Sequence, residues 1–192
     1  AHAFPAAFRG EKIGSFGDIT CFSFYANKTI TSGEGGCVVT NNEELYKRMK
    51  LMRLHGIDRD VWERFTSKSN QNDYDIVEAG FKYNLSDINA AVALAQFEIA
   101  EELRLKRQKI AETYLQELQS FESLDLPEIN VSHDEHSWHL FNPVLNIKSK
   151  IKRDELLAKL AENGIGTSIH YKPLHRMTFY KEKYDLKVED FP

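Results

Sequence analysis

Three features of the sequence predict an α/β fold in two bodies joined by a long helix. Short apolar runs rich in β-branched and aromatic residues alternate with segments of helical periodicity. One helical stripe runs on over residues 84–119, longer than a single packed helix usually is. After it the order is strand, helix, strand, the pattern of a small second α/β body.

In chain order, "ITCFSFY" (residues 19–25) reads as a buried strand, and "CVVT" (residues 37–40) as a second one. Between them, Gly33, Gly35 and Gly36 relax the backbone after Lys28, which places that lysine at a strand exit. "NNEELYKRMKLMRLHG" follows as a helix. Asn41 and Glu44 resemble a capping box, Leu45, Met49 and Met52 keep the helical spacing, and Gly56 ends it. Residues 57–80 are polar with scattered aromatics and read as a long loop. Ser86 is the predicted N-cap of the long helix, whose stripe of Ile88, Val92, Ala95, Ile99 and Leu103 resumes at Ile110, Tyr114 and Leu118; such a helix bridges two bodies or bends midway. "SWHLFNPVLNI" reads as a strand, "KRDELLAKLAENG" as an amphipathic helix stopped by Asn163 and Gly164, and "IGTSIHY" as a short strand.

The bulk properties exclude some function classes. The 192 residues, 42% hydrophobic and 28% charged, supply enough apolar material for a core. A net charge of -4 and a pI near 6.0 argue against nucleic-acid binding, which needs a basic face to offset phosphates. No apolar run approaches a membrane span and no signal pattern opens the chain, so the expected location is the cytoplasm. Cys21 and Cys37 sit inside the two strand candidates and are expected to be buried free thiols. The opening "AHAFPAAFRG" and the closing "KVEDFP" look like cut ends.

Three features could carry chemistry. A partly desolvated amine such as Lys28 can form a Schiff base with a carbonyl, although the local pattern alone favours a solvated lysine beside a turn. "GEGG" lacks the spacing of a phosphate-binding loop and by itself is a turn. His133, His136 and His139 stand at steps of three, which on a helix would suggest zinc; in a strand such steps alternate faces, so no metal is expected. His170 and His175 bracket a proline turn and fit a structural role as well as a functional one.

Taken together, "SFYANKTITSGEGG", "GFKYNLSDINAAVALAQ", "SWHLF" and "GIGTSIHYKPLH" resemble, in order and spacing, the DegT/StrS family of pyridoxal-phosphate (PLP) nucleotide-sugar aminotransferases. The resemblance covers essentially the whole chain. It implies the fold of the aspartate-aminotransferase type, here a partial large-domain sheet with most of a small C-terminal α/β domain. Residues 1–105 would be the C-terminal half of the large PLP-binding domain with the start of the linking helix, and residues 106–192 the incomplete small domain. Lys28 matches the lysine of the internal aldimine, Ser23 the hydroxyl on the PLP phosphate, and His2 a position beside the cofactor ring. Asn84 matches the residue that reaches the phosphate site of a neighbouring subunit, which implies a homodimer with shared sites. His170 and Tyr171 lie where the small domain approaches the substrate.

The resemblance also implies the partners, a nucleotide-linked keto sugar and glutamate, with amination at sugar C4 the preferred expectation. It implies too that the family's aspartate facing the pyridine nitrogen would lie two residues before Ala1, so the chain alone is expected to bind PLP weakly and not to transaminate. Two rivals stay open. One is a PLP-dependent sugar dehydratase of the same fold, against which Lys28 counts because known examples carry histidine there; the other is a non-catalytic fragment or interaction module.

Overall fold

The computed structural model describes residues 1–58, 74–130, 132 and 135–191. Its contacts fall into two units: Ala1–Phe121 with Leu126–Val144, and Glu122–Asp125 with Leu145–Pro192.

The first unit opens with a two-stranded ladder, β1 (Ala7–Phe8) on β2 (Glu11–Lys12), both antiparallel. Next, β3 (Thr20–Ser23) and β4 (Gly36–Val39) pair antiparallel, with Phe22 opposite Cys37 and Ser23 opposite Gly36. The expected strand at residues 19–25 is thus shorter and is buried on one face only. Side chains alternate across a strand, so Phe22 points into the unit while Cys21, on the other face, is exposed; Ile19 and Tyr25 are 46% and 47% exposed. The expectation of two buried thiols therefore holds for neither cysteine. Cys37 is half-buried, and that burial, followed by the charge of nearby Cys21, pushes its thiol above the ordinary value.

The helix α1 spans Glu43–Met52. Its cap is Asn42 rather than Asn41: the Asn42 side chain accepts from the Glu44 and Leu45 amides at 2.9 and 3.1 Å, while Asn41 donates to the Ser15 carbonyl at 2.7 Å. Of the expected loop at residues 57–80, residues 59–73 lie outside the described residues. The part that follows straps the end of α1, where the Phe81 amide donates to Met52 O and the His55 amide to Phe81 O, each at 2.7 Å. Arg48 and Glu78 add an ion pair across the same join.

The long helical stripe forms two helices, α2 (Asp87–Glu98) and α3 (Ala100–Leu118). Ser86 caps α2 as expected, accepting from the Asn89 amide at 3.2 Å. The stripe breaks at Ile99, whose amide reaches back only three residues to Gln96 O, a tightened turn of the 3-10 type. The core of the unit gathers Phe22, Ile30, Leu54, Ala93, Ala100, Ala111 and Trp138. Phe4 bridges the strand layer to α2, edge-on to Phe22 at 5.5 Å and stacked on Phe97 at 5.9 Å.

The short strands β5 (Leu124–Asp125) and β6 (Val144–Leu145) pair with each other. "SWHLFNPVLNI" is therefore strand only at its end, because residues 137–143 have no ladder partner among the described residues. In the second unit α4 (Arg153–Glu162) ends as predicted, with Asn163 as C-cap and Gly164 in the left-handed region at φ +75°. "IGTSIHY" forms no ladder among the described residues. Apolar, β-branched character is not enough for a strand; a neighbouring backbone must complete the hydrogen bonds. A short α5 (Thr178–Tyr184) follows a 3-10 turn at Leu174–Arg176.

Candidate active site

The connection from β3 to β4 is a loop braced by hydrogen bonds of its own backbone. The Phe24 amide donates to Gly35 O at 2.8 Å, the Ser32 amide to Phe24 O at 3.0 Å, and the Lys28 amide to Tyr25 O at 3.0 Å. The helix α2 clamps the same loop from outside: Gln96 Oε1 accepts from the Thr31 amide at 3.1 Å, and Asn89 Nδ2 donates to Ser32 O at 2.9 Å. Gly35 has φ +137°, and a Cβ built on it would stand 2.6 Å from Leu85 Cδ1 and 2.9 Å from Ser32 Oγ. A methyl there would require the Leu85 and Ser32 side chains to shift, and the positive φ itself favours glycine. Ile30, 2% exposed, pins the turn beneath Lys28.

This loop presents Lys28 to a small pocket lined by His2, Phe4, Ser23, Thr29 and His139 among others. Lys28 is half-buried, and its Nζ lies 3.4 Å from Nε2 of His139. The rings of His2 and His139 are 4.4 Å apart, tilted by 47°. Ser23 Oγ accepts from the Tyr25 amide at 3.3 Å, so its own proton is available to an acceptor in the pocket. Thr29 is 5% exposed, and its Oγ1 is buried without a hydrogen-bond partner. The site thus offers an amine, two hydroxyls and two imidazoles around one opening, a set suited to a ligand with a carbonyl and an anionic group.

Three of the residues singled out in the sequence, Lys28, Ser23 and His2, are therefore brought together. Asn84 is exposed, two residues ahead of the α2 cap, and does not line this pocket. His170 and Tyr171 belong to the second unit, with rings 4.2 Å apart. His170 Nδ1 is buried without a partner, and Tyr171 is 64% exposed.

The histidine series divides. His133 lies outside the described residues; His136 uses Nδ1 to accept from the Trp138 amide at 3.0 Å. Among the described residues no cluster of three or more His, Cys, Asp or Glu side chains could hold a metal ion. Sequence reasoning weighed His139 only as a metal ligand and missed it as the neighbour of Lys28; it missed Thr29 as well. The "SWH" triplet was the available signal, but nothing in it indicates contact with a residue more than a hundred positions earlier.

Residues 1–192 match the sequence profile of the DegT/DnrJ/EryC1/StrS aminotransferase family. The chain is 35% identical over 198 residues to the spore coat polysaccharide biosynthesis protein SpsC of Bacillus subtilis, covering 100% of this chain and 49% of SpsC. It spans about half the length of the curated relatives it matches. Among solved structures, Helicobacter pylori PseC, an aminotransferase involved in pseudoaminic acid biosynthesis, superposes with TM-score 0.83 at 29% identity, over 97% of this chain and 48% of PseC. Spr1654 from Streptococcus pneumoniae, solved in PLP and PMP forms, gives TM-score 0.78 at 30% identity, over 96% and 45%. A GDP-4-keto-6-deoxymannose-3-dehydratase with a trapped PLP-glutamate geminal diamine gives 0.72 at 27% identity, over 84% and 42%.

Proposed function

The chain belongs to the DegT/DnrJ/EryC1/StrS aminotransferase family and has its PLP-dependent transferase fold; from that premise and the Lys28 pocket, we propose that it is the lysine-bearing part of a PLP-dependent sugar aminotransferase. The parent protein moves an amino group from glutamate to a keto nucleotide-sugar, at sugar C4. The observation that carries this reading is the convergence of Lys28, Ser23, Thr29 and His2 on one pocket.

These residues suit PLP on their own chemistry. The Lys28 amine matches its carbonyl, and the uncommitted protons of Ser23 Oγ and the orphaned Thr29 Oγ1 match acceptor oxygens. When bound, PLP supplies an electron-accepting ring that stabilises charge on the substrate carbon losing its proton. The chain's own part is to hold the group and handle that proton. Lys28 Nζ would hold the group covalently, and its amine would serve as the base that carries the proton. Ser23 Oγ would donate to a phosphate oxygen, and His2, which lines the same pocket, would stand beside the bound group. The buried Ile30 and the α2 clamp keep this geometry fixed before any ligand arrives, which lowers the cost of ordering it.

In the same reading residues 1–105 are the C-terminal half of the cofactor-binding domain and residues 106–192 an incomplete small domain, where His170 and Tyr171 contact the sugar. Asn84, exposed ahead of α2, reaches the phosphate site of a second copy in a homodimer. The dehydratase of similar fold makes removal of a sugar hydroxyl the second reading.

The test is reduction of the PLP-loaded full-length parent with borohydride, followed by peptide mapping. The pyridoxyl label is expected on Lys28 and is lost in Lys28→Arg, whose guanidinium cannot take the cofactor. A label on Lys82 or elsewhere, with Lys28 clean, overturns the assignment. Product analysis with glutamate and a 4-keto nucleotide-sugar then separates an amino sugar from a deoxy sugar.

A further inference from the structure

Lys28 Nζ and His139 Nε2 are 3.4 Å apart although 111 positions separate them in sequence. We propose that His139 is the positioning residue for the Lys28 amine, a role that rests on the cofactor reading of Lys28 above. The neutral imidazole accepts a hydrogen bond from the Lys28 ammonium and so aims the amine across the mouth of the pocket. An ammonium has only hydrogens to give, so the contact requires Nε2 unprotonated and the ring proton on Nδ1. Without an acceptor, the flexible four-carbon stem of a lysine explores many directions.

His139 is itself held by a built segment. Ser137, 6% exposed, donates from Oγ to the His2 carbonyl at 2.9 Å. Trp138 is 4% exposed, its amide donates to His136 Nδ1 at 3.0 Å, and its carbonyl accepts from Arg107 of α3 at 3.5 Å. Trp138 also has φ +49°, which turns the backbone so that the ring of Trp138 is buried and that of His139 meets Lys28. The His2 ring, 4.4 Å away, braces His139 from a further side. The serine and the tryptophan of the "SWH" triplet are therefore anchors, and the histidine is the group they deliver.

The contact depends on protonation. A proton on Nε2 removes the acceptor and sets two cations side by side, so the pair separates on acidification through the imidazole range. Among the described residues, the other charged or titratable groups facing this corner are His2 from the N-terminal segment, His136 beside the Trp138 ring, and Arg107 from α3.

Two measurements on the full-length parent test the proposal. The first needs no cofactor: the His139 ring signal is followed by NMR against pH in the native chain and in Lys28→Met. Loss of the neighbouring ammonium is expected to move the His139 titration to higher pH, and an unmoved titration overturns the pairing. The second is the rate of PLP attachment at Lys28, trapped with borohydride. His139→Leu is expected to slow it about 2- to 10-fold, the worth of one hydrogen bond, while His139→Gln, whose amide oxygen also accepts, restores it. A native rate in the leucine variant, or no rescue by glutamine, overturns the positioning role. Should His139→Leu not fold, the NMR comparison and the glutamine variant decide. If the titration moves as expected but PLP never attaches to Lys28, the pairing stands and the cofactor reading falls.

Discussion

The loop that carries Lys28 and the segment that carries His170 and Tyr171 are both irregular backbone with chemistry-bearing side chains, yet they are held in different ways. Around Lys28, backbone amides find partners within the loop, α2 adds Asn89 and Gln96 from outside, and Ile30 closes the underside. In the second unit no described residue is buried, and Ile165, Ile169, Leu174 and Phe179 are 49%, 46%, 59% and 62% exposed. His170 keeps a buried Nδ1 without a partner. The contrast teaches that a side chain is pre-set for chemistry by what satisfies and covers the backbone beneath it, more than by its own residue type.

The largest expected break in that contrast comes from core truncation. Trp138→Ala should destabilise the first unit by about 3–5 kcal/mol, whereas Leu174→Ala, at a site 59% exposed, should cost about 0.5 kcal/mol or less. Urea unfolding followed with amide exchange in each unit measures both. Equal costs would show that the second unit is as tightly packed as the first.

A smaller effect separates two glycines that share a positive φ. Gly35→Ala forces a methyl toward Leu85 and Ser32 and should cost about 1–3 kcal/mol, with faster exchange of the Phe24 and Ser32 amides. Gly164→Ala, at φ +75° with open space around it, carries the backbone term alone, about 1 kcal/mol. Thermal melts of the two variants rank them, and the reverse order would remove the clamp from the account of the Lys28 loop.

The smallest effect is electrostatic. Arg104 of α3, its side chain 6% exposed, pairs with Glu101 at 2.6 Å and holds that carboxyl below its ordinary value, chiefly through their hydrogen bond. A carboxylate depressed in the folded state gives stability that is present above its unfolded value and lost as pH falls through the folded one. Acidification through and below the ordinary glutamate range should therefore loosen α3 slightly, and Glu101→Gln should flatten that dependence. Glu101 is 55% exposed, which keeps the effect small. Melting temperature against pH, native beside variant, is the measurement.

Local chemistry was legible where its cause was local. The Ser86 cap and the stop at Asn163 and Gly164 each follow from residues within a turn or two of the event, whereas the break at Ile99 was foreseen only from the length of the stripe. The cap of α1 was misplaced by one residue because Asn41 and Asn42 offer the same side chain; Ser15, far off in sequence, takes Asn41 and leaves Asn42 for the helix. Two strands were over-read, at residues 137–147 and 165–171, since β-forming composition does not say whether a second strand lies alongside. The site was half legible. Lys28 and Ser23 share one stretch of chain, so their adjacency could be read; His139 could not, because its place depends on Trp138 finding the core.

By itself, then, the sequence determined the family, the start of α2 and the stop of α4, and the lysine at the exit of a strand, because caps, periodicity and ordered motifs act over a few residues at a time. The tertiary structure alone decided which face of β3 is covered, which asparagine caps α1, and that a histidine from beyond α3 stands beside Lys28. Those outcomes turn on burial and on hydrogen bonds between segments far apart in the chain, and neither exists until the chain has folded.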